Sequence, residues 1–206
     1  MVEAIIHGVI LAFGLIIPLG AQNVFVFNQG ALQPKFRKAL PVVITAGISD
    51  TILIVAAVSG VSLLILTFSW LENIIFSIGI IFLLYMGVVL WRTKVSTNDL
   101  EGQSFSMKRQ ILFAASVSLL NPHALLDTIG VIGTNSLSYI GDAKIAFTLT
   151  TIFVSWIWFI GLALSGRYFG KLDKSGKLMT LLNKVSALVV FGVAVYMALK
   201  LYSNLA

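Results

Sequence analysis

The chain has no cysteine, and charged residues make up only 11% of its 206 residues. Soluble domains carry about 25% charged residues, so a chain this poor in charge is not an ordinary soluble domain. The absence of cysteine excludes disulfides, thiolate metal sites and thiol relays, and with them the chemistry of a transmembrane redox carrier. Prolines are also few, at four, and therefore each one inside an apolar run is informative.

What the chain has instead is apolar sequence. Hydrophobic residues make up 58% of it and the mean hydropathy is +0.99. We therefore interpret it as an all-α integral membrane protein, in contact with membrane lipid. The net charge of +6 comes from basic residues in three short inter-helix segments, which is typical of topology signals and not of a nucleic-acid-binding face.

Apolar runs of about 20 residues predict six transmembrane helices. Their positions are near 4–28, 39–67, 71–91, 110–132, 143–166 and 179–201. Lysine and arginine collect in the loops after the first, third and fifth spans, and short cytoplasmic loops are enriched in these residues. The pattern predicts that these three loops are cytoplasmic and that both termini are extracytoplasmic.

A polar segment at 92–110 divides the chain into two halves, 1–91 and 111–206, which we predict to be three-helix repeats joined by a cytoplasmic linker. A weak internal repeat supports the division. Pro18 precedes Asn23 by five residues as Pro122 precedes Asp127, and the segment 48–50 corresponds to 154–156. Because each half has an odd number of spans, the second repeat would be inverted, as in many secondary transporters.

Two segments place a proline beside polar groups inside apolar runs, and they predict that the first and fourth helices are broken. They are Pro18-Leu-Gly-Ala-Gln-Asn23 and Asn121-Pro-His-Ala-Leu-Leu-Asp127. Proline removes a backbone donor and frees polar groups where there is no water. Asn121 followed by Pro122 resembles an N-cap with proline at the first helical position, so a half-helix would begin there and present free N–H groups to an anion.

Acidic side chains inside the membrane are the strongest functional signal. Asp50 and Asp127 both lie in apolar runs, where such a group costs about 2.5–3.5 kcal/mol on insertion scales. An ionised carboxylate only accepts hydrogen bonds, and therefore each aspartate can bind a cation or carry a proton. Carboxylates for an ammonium or guanidinium group, together with helix N-termini for a carboxylate, complement an amino acid.

The remaining candidate residues surround these two aspartates. Gln22 and Asn23 supply neutral hydrogen-bonding groups, and Ser49 precedes Asp50. His123 lies four residues before Asp127, on the same face of a regular helix, and Trp156 corresponds to Asp50 in the repeat. Each of these also has a purely structural interpretation, as a hydrogen-bonded core group or a packing aromatic residue.

Three segments together resemble the lysine exporter (LysE) family of bacterial amino-acid translocators. They are Gly20-Ala-Gln-Asn-Val-Phe-Val-Phe-Asn-Gln-Gly30, Ile48-Ser-Asp50 and Asn121-Pro-His-Ala-Leu-Leu-Asp127. The resemblance covers the whole chain in order. Ala21 stands where the family usually has proline, and Leu125 or Leu126 where it often has an aromatic residue.

The resemblance implies a multi-pass protein of the bacterial cytoplasmic membrane that exports amino acids. The pair Asp50 and Asp127 looks more like the lysine and arginine branch than the branch for neutral amino acids. Export would be driven by the membrane potential or an ion gradient, with no cofactor or bound metal and no enzymatic activity. No nucleotide-binding motif occurs in the sequence, in agreement with this.

Three alternatives remain open at this point. The chain could export neutral amino acids, or it could transport a cation or metal with the same carboxylates. An intramembrane aspartyl protease would also use two aspartates, but the Gly-x-Gly-Asp sequence expected of it is missing. The sequence leaves the coupling ion and the oligomeric state open, a homo-oligomer included.

Overall fold

The computed structural model is built from helices. It describes residues 1–17, 20–60, 69–92, 105–119, 128–172 and 177–205, and these ranges contain no β-strand, which confirms the all-α prediction for them. The helices are α1 (Val2–Ile16), α2 (Ala21–Leu32), α3 (Phe36–Val58), α4 (Ser69–Arg92), α5 (Met107–Leu119), a π-helical turn (Thr128–Gly133), α6 (Thr134–Ser136), α7 (Gly141–Leu172) and α8 (Lys177–Leu205).

Two of the described helices, α3 and α7, are long and apolar enough to cross a membrane alone. Helices α1 and α2 together meet the same criterion, with a bend of 81° between them, and would add a third crossing. Helical residues occur at each of the six predicted positions. The crossing of the membrane by all six remains a prediction.

The end of α3 differs from the sequence-based expectation. The apolar run predicted a span to residue 67, but the helix ends at Val58, and residues 61–68 lie outside the described ranges. Gly60 has a φ of +76°, a left-handed conformation that glycine adopts without steric cost. A glycine in this conformation just after the last helical residues is a common helix terminator.

The main contacts between helices join elements that are far apart in the sequence. Helix α2 lies along α7, α3 packs on α5 and the π turn, and α4 packs on α8, while α3 and α7 also contact each other. The largest buried cluster lies between these helices and is centred on Phe25, Val42, Phe113 and Phe159. The Phe25 and Phe113 rings have centroids 3.9 Å apart.

Helices α2 and α7 approach so closely that there is no room for a Cβ atom at Gly30 or Gly166. A Cβ atom added at Gly30 would fall less than 3.0 Å from the backbone of Ala163, and one at Gly166 would clash with the Phe27 carbonyl. Small residues that bring backbones together are the usual basis of helix association in membranes, where lipid is as apolar as the helices themselves.

We expect Gly166→Ala to destabilise the protein by about 1–3 kcal/mol, the usual cost of overpacking a tight contact. The matched control is Gly161→Ala, because Gly161 lies on the same helix and a Cβ there meets nothing within 4 Å. That variant should be neutral or more stable, since alanine favours a helix by about 1 kcal/mol over glycine. Thermal unfolding of the two purified variants in detergent tests this, and equal midpoints would show that the α2–α7 contact tolerates a methyl group.

Candidate functional site

The Asp50 carboxylate is held between three helices near the middle of α3. The Gln22 side chain on α2 donates from Nε2 to Oδ1 at 3.2 Å, and the Ser155 hydroxyl on α7 donates to Oδ2 at 2.7 Å. Both carboxylate oxygens therefore have a donor. The Asp50 residue as a whole is partly exposed.

Gln22 lies at the start of α2, just after the interruption between α1 and α2. Gly20, the N-cap of α2, has an extended backbone with φ −76° and ψ 171°, and Gln22 follows in the first turn of α2. The Asp50 carboxylate accordingly lies beside a helix N-terminus, whose partial positive charge favours an anion. The Asn23 amide donates to the Ile16 carbonyl at 2.7 Å and so links the two helices across the break.

Helix α7 contributes a second pair of contacts next to Ser155. The indole Nε1 of Trp156 donates to the Thr51 hydroxyl at 3.1 Å, and this hydroxyl donates to the Gly47 carbonyl at 2.7 Å. The indole ring lies against Gly47, where an added Cβ would come within 2.7 Å of two ring carbons. Consecutive residues of α7 thus bind consecutive residues of α3, and glycine provides the space for the ring.

The described partners of Asp50 are neutral. In water the charge of a carboxylate is stabilised by solvent, and inside an apolar bundle it requires donors or a counter-ion instead. Gln22 and Ser155 supply two donors but no positive charge. The arrangement is suited to receive a proton or a cationic group at Asp50.

Of the predicted site residues, Gln22 and Asp50 are in direct contact, and Trp156 lies one residue from Ser155 and contacts Thr51. Asn23 instead contacts the end of α1. Ser49, which precedes Asp50 on α3, is buried. The other predicted residues, Asn121, Pro122, His123 and Asp127, lie outside the described ranges, and their roles stay predictions.

Sequence reasoning missed three residues of this arrangement: Ser155, Thr51 and Gly47. Ser155 stands beside the predicted Trp156, and its place within an apolar run was the available signal. A buried amide pair was also missed, in which Asn28 on α2 donates to Asn183 on α8 at 2.7 Å. This pair ties the helix that carries Gln22 to the second half of the chain.

Comparison with known proteins gives a consistent result. The family model "LysE type translocator" matches residues 13–201. YisU of Bacillus subtilis (strain 168), a proposed amino-acid transporter, is 54% identical over 202 residues, covering 98% of this chain and 92% of YisU. The arginine exporter protein ArgO of Pectobacterium carotovorum is 32% identical over 96% of this chain and 98% of its own length.

ArgO of Escherichia coli (strain K12) is likewise 32% identical, over 93% of this chain and 92% of its own length. No solved structure matches the chain. The family model covers most of the sequence, and the relatives align over nearly their full lengths. The chain therefore belongs to the LysE family of translocators and is a transport protein, not an enzyme.

Proposed function

We propose that this protein exports arginine or lysine across the bacterial cytoplasmic membrane by alternating access. The observation that carries the proposal is the Asp50 carboxylate at the junction of α2, α3 and α7, whose described hydrogen-bond partners are neutral donors. A guanidinium or ammonium group would supply the positive charge that Gln22 and Ser155 do not. The relatives named as arginine exporters support this substrate class.

The proposed site extends beyond Asp50. Gln22 would exchange its bond to Asp50 for one to the substrate, and the Trp156 indole would form one wall of the site. Asn121 and the backbone after Pro122 would hold the substrate carboxylate, while Asp127 and His123 would bind the second cationic group or carry the coupling proton. Ser49 and Asn23 would support the site without being its main ligands.

The packing of α3 against α7 supports the inverted repeat of 1–91 and 111–206. The sequence repeat equates Asp50 with Trp156, and these helices cross where Asp50 meets Ser155 and Thr51 meets Trp156. In a structure with a two-fold axis, equivalent helices meet at equivalent residues. The other contacts follow the same rule: α4 packs on α8, α1 and α2 pack on α7, and α5 with the π turn packs on α3.

This repeat offers a simple route to alternating access. The half that contains α1–α4 would rock against the half that contains α5–α8 around the Asp50 region, and the linker 92–110 would connect the two moving bodies. The membrane potential, negative inside, would oppose outward movement of a cationic substrate by about 2.3 kcal/mol per charge at 100 mV, so export would be coupled to inward movement of a proton or another cation.

Counterflow of labelled amino acids in proteoliposomes tests the function. We expect uptake of arginine or lysine by the wild-type protein and its loss in Asp50→Asn, because the amide cannot carry the negative charge. The matched control is Asp142→Asn, an exposed aspartate in the first turn of α7, which should transport normally. Uptake of leucine or homoserine alone would contradict a cationic substrate, and full arginine uptake by Asp50→Asn would remove that carboxylate from the site.

The proposed topology places both termini outside the cell and the loops after α2, α4 and α7 inside. Because the natural chain has no cysteine, single cysteines report sidedness without background. We expect Val2→Cys and Ser138→Cys, both at exposed positions, to react in intact cells with a maleimide that does not cross membranes. Lys108→Cys should react only after the membrane is opened, and its reaction in intact cells would overturn this topology.

A further inference from the structure

Two hydrogen-bonded contacts lie at opposite ends of the helix bundle. The first, here called the outer contact, joins His7 on α1 to Tyr139, which lies just before α7; His7 Nδ1 and the Tyr139 hydroxyl are 2.8 Å apart. The His7 ring also meets the Tyr139 ring edge-on, with centroids 5.9 Å apart. Tyr139 packs against a buried cluster that includes Phe147 and Ile54, and Ile54 lies in the C-terminal part of α3.

The second contact, here called the inner cluster, consists of Gln33, Lys38, Phe105 and Gln110. The Gln110 side chain on α5 donates to the carbonyls of Lys38 at 3.0 Å and Phe105 at 2.9 Å. The Gln33 side chain, just after α2, donates to the same Phe105 carbonyl at 3.0 Å. Both glutamines are buried, with 4% and 1% of their surface exposed.

The distance between the two contacts matches a membrane. Val58 packs against the same buried cluster as Tyr139, and Lys38 and Val58 are 20 residues apart on α3, or about 30 Å along a helix. This is the thickness of the hydrocarbon core of a bilayer. Basic residues surround the inner cluster: Arg109 lies over the Phe105 ring and Arg167 approaches the Pro34 carbonyl. The inner cluster therefore belongs to the cytoplasmic side.

The two contacts also occupy corresponding places in the sequence repeat. His7 lies 11 residues before Pro18, and Gln110 lies 12 residues before Pro122. Each reaches from the helix that precedes a proline to the beginning of a long helix, His7 to Tyr139 before α7 and Gln110 to Lys38 at the start of α3. The contact of α1 with the start of α7 and the contact of α5 with the start of α3 are thus equivalent in the repeat, and they lie at opposite ends of the protein.

We propose that the outer contact and the inner cluster are the two gates of the transport pathway. The inference rests on the proposed transport function, and it identifies which residues separate the two open states. The outer gate is held by one side-chain bond between partly exposed residues, and the inner gate by two bonds from buried glutamines that join distant segments, Gln110 to the Lys38 carbonyl and Gln33 to the Phe105 carbonyl. Opening toward the cytoplasm therefore breaks more hydrogen bonds than opening outward and limits the entry of substrate.

Side-specific labelling of one reporter cysteine tests the gates without any substrate. Gly20→Cys is the reporter, because Gly20 lies two residues before Gln22, a Cβ there meets no atom of the described residues within 4 Å, and its φ of −76° suits any residue. Tyr139→Phe removes the hydroxyl of the outer contact and keeps the ring. We expect it to raise the labelling rate from the outer side about fivefold, the effect of losing one ordinary hydrogen bond, and to leave labelling from the cytoplasmic side unchanged.

Gln33→Ala should have the opposite effect and increase labelling from the cytoplasmic side alone. Gln110→Ala is a second variant of the inner gate, and it keeps the test possible if Gln33→Ala does not fold. The controls are Tyr168→Phe and Ser116→Ala, since Tyr168 is exposed on α7 and the Ser116 hydroxyl bonds only within its own helix. If the gate variants are labelled at the wild-type rate, or if their labelling rates change equally from both sides, the two contacts are not gates. If the side-specific changes in labelling are observed but the wild-type protein shows no arginine counterflow, the gates stand and the substrate assignment is wrong.

Discussion

A carboxylate inside an apolar helix bundle requires hydrogen-bond donors from its surroundings, and the arrangement around Asp50 follows from this requirement. The donors come from two other helices: Gln22 from the first turn of α2 and Ser155 from the middle of α7. Gln22 lies in the first turn of α2, just after the interruption between α1 and α2. The position of α2 and the crossing of α3 and α7 therefore meet the same electrostatic requirement.

Close backbone packing is the second condition for this site. Lipid gives helices no hydrophobic reason to associate, so the contacts depend on shape. Gly30 and Gly166 let α2 lie against α7, and Gly47 makes room for the Trp156 ring against α3. The glycines thus set the distances between the helix backbones, and these distances allow the side chains of Gln22, Ser155 and Trp156 to reach their partners on α3.

Much of this arrangement could be predicted from the sequence, and the reasons are physical. Helical residues occur in each of the six predicted segments, because a membrane leaves apolar segments few alternatives to helix. Asp50 and Gln22 stood out because polar groups are costly in such segments, and the structure brings the two into contact. Trp156 was found through the repeat alone.

Other features left no readable signal in the sequence. A serine in a membrane helix can bond to its own helix, as Ser118 does to the Ala114 carbonyl, so nothing in the sequence distinguishes Ser155 as a partner of Asp50. The early end of α3 depends on the left-handed conformation of Gly60, which the apolar run around it concealed. The contribution of Asp127, Asn121, Pro122 and His123 stays a prediction, since these residues lie outside the described ranges.

Equilibrium binding of labelled arginine to the purified protein in detergent tests the central claim most directly, because it requires neither a gradient nor a complete transport cycle. The account predicts saturable binding that lysine displaces and leucine does not, and that Asp50→Asn abolishes. Arginine binding of equal strength in the wild-type protein and in Asp50→Asn would contradict the assignment of this carboxylate to the cationic group of the substrate.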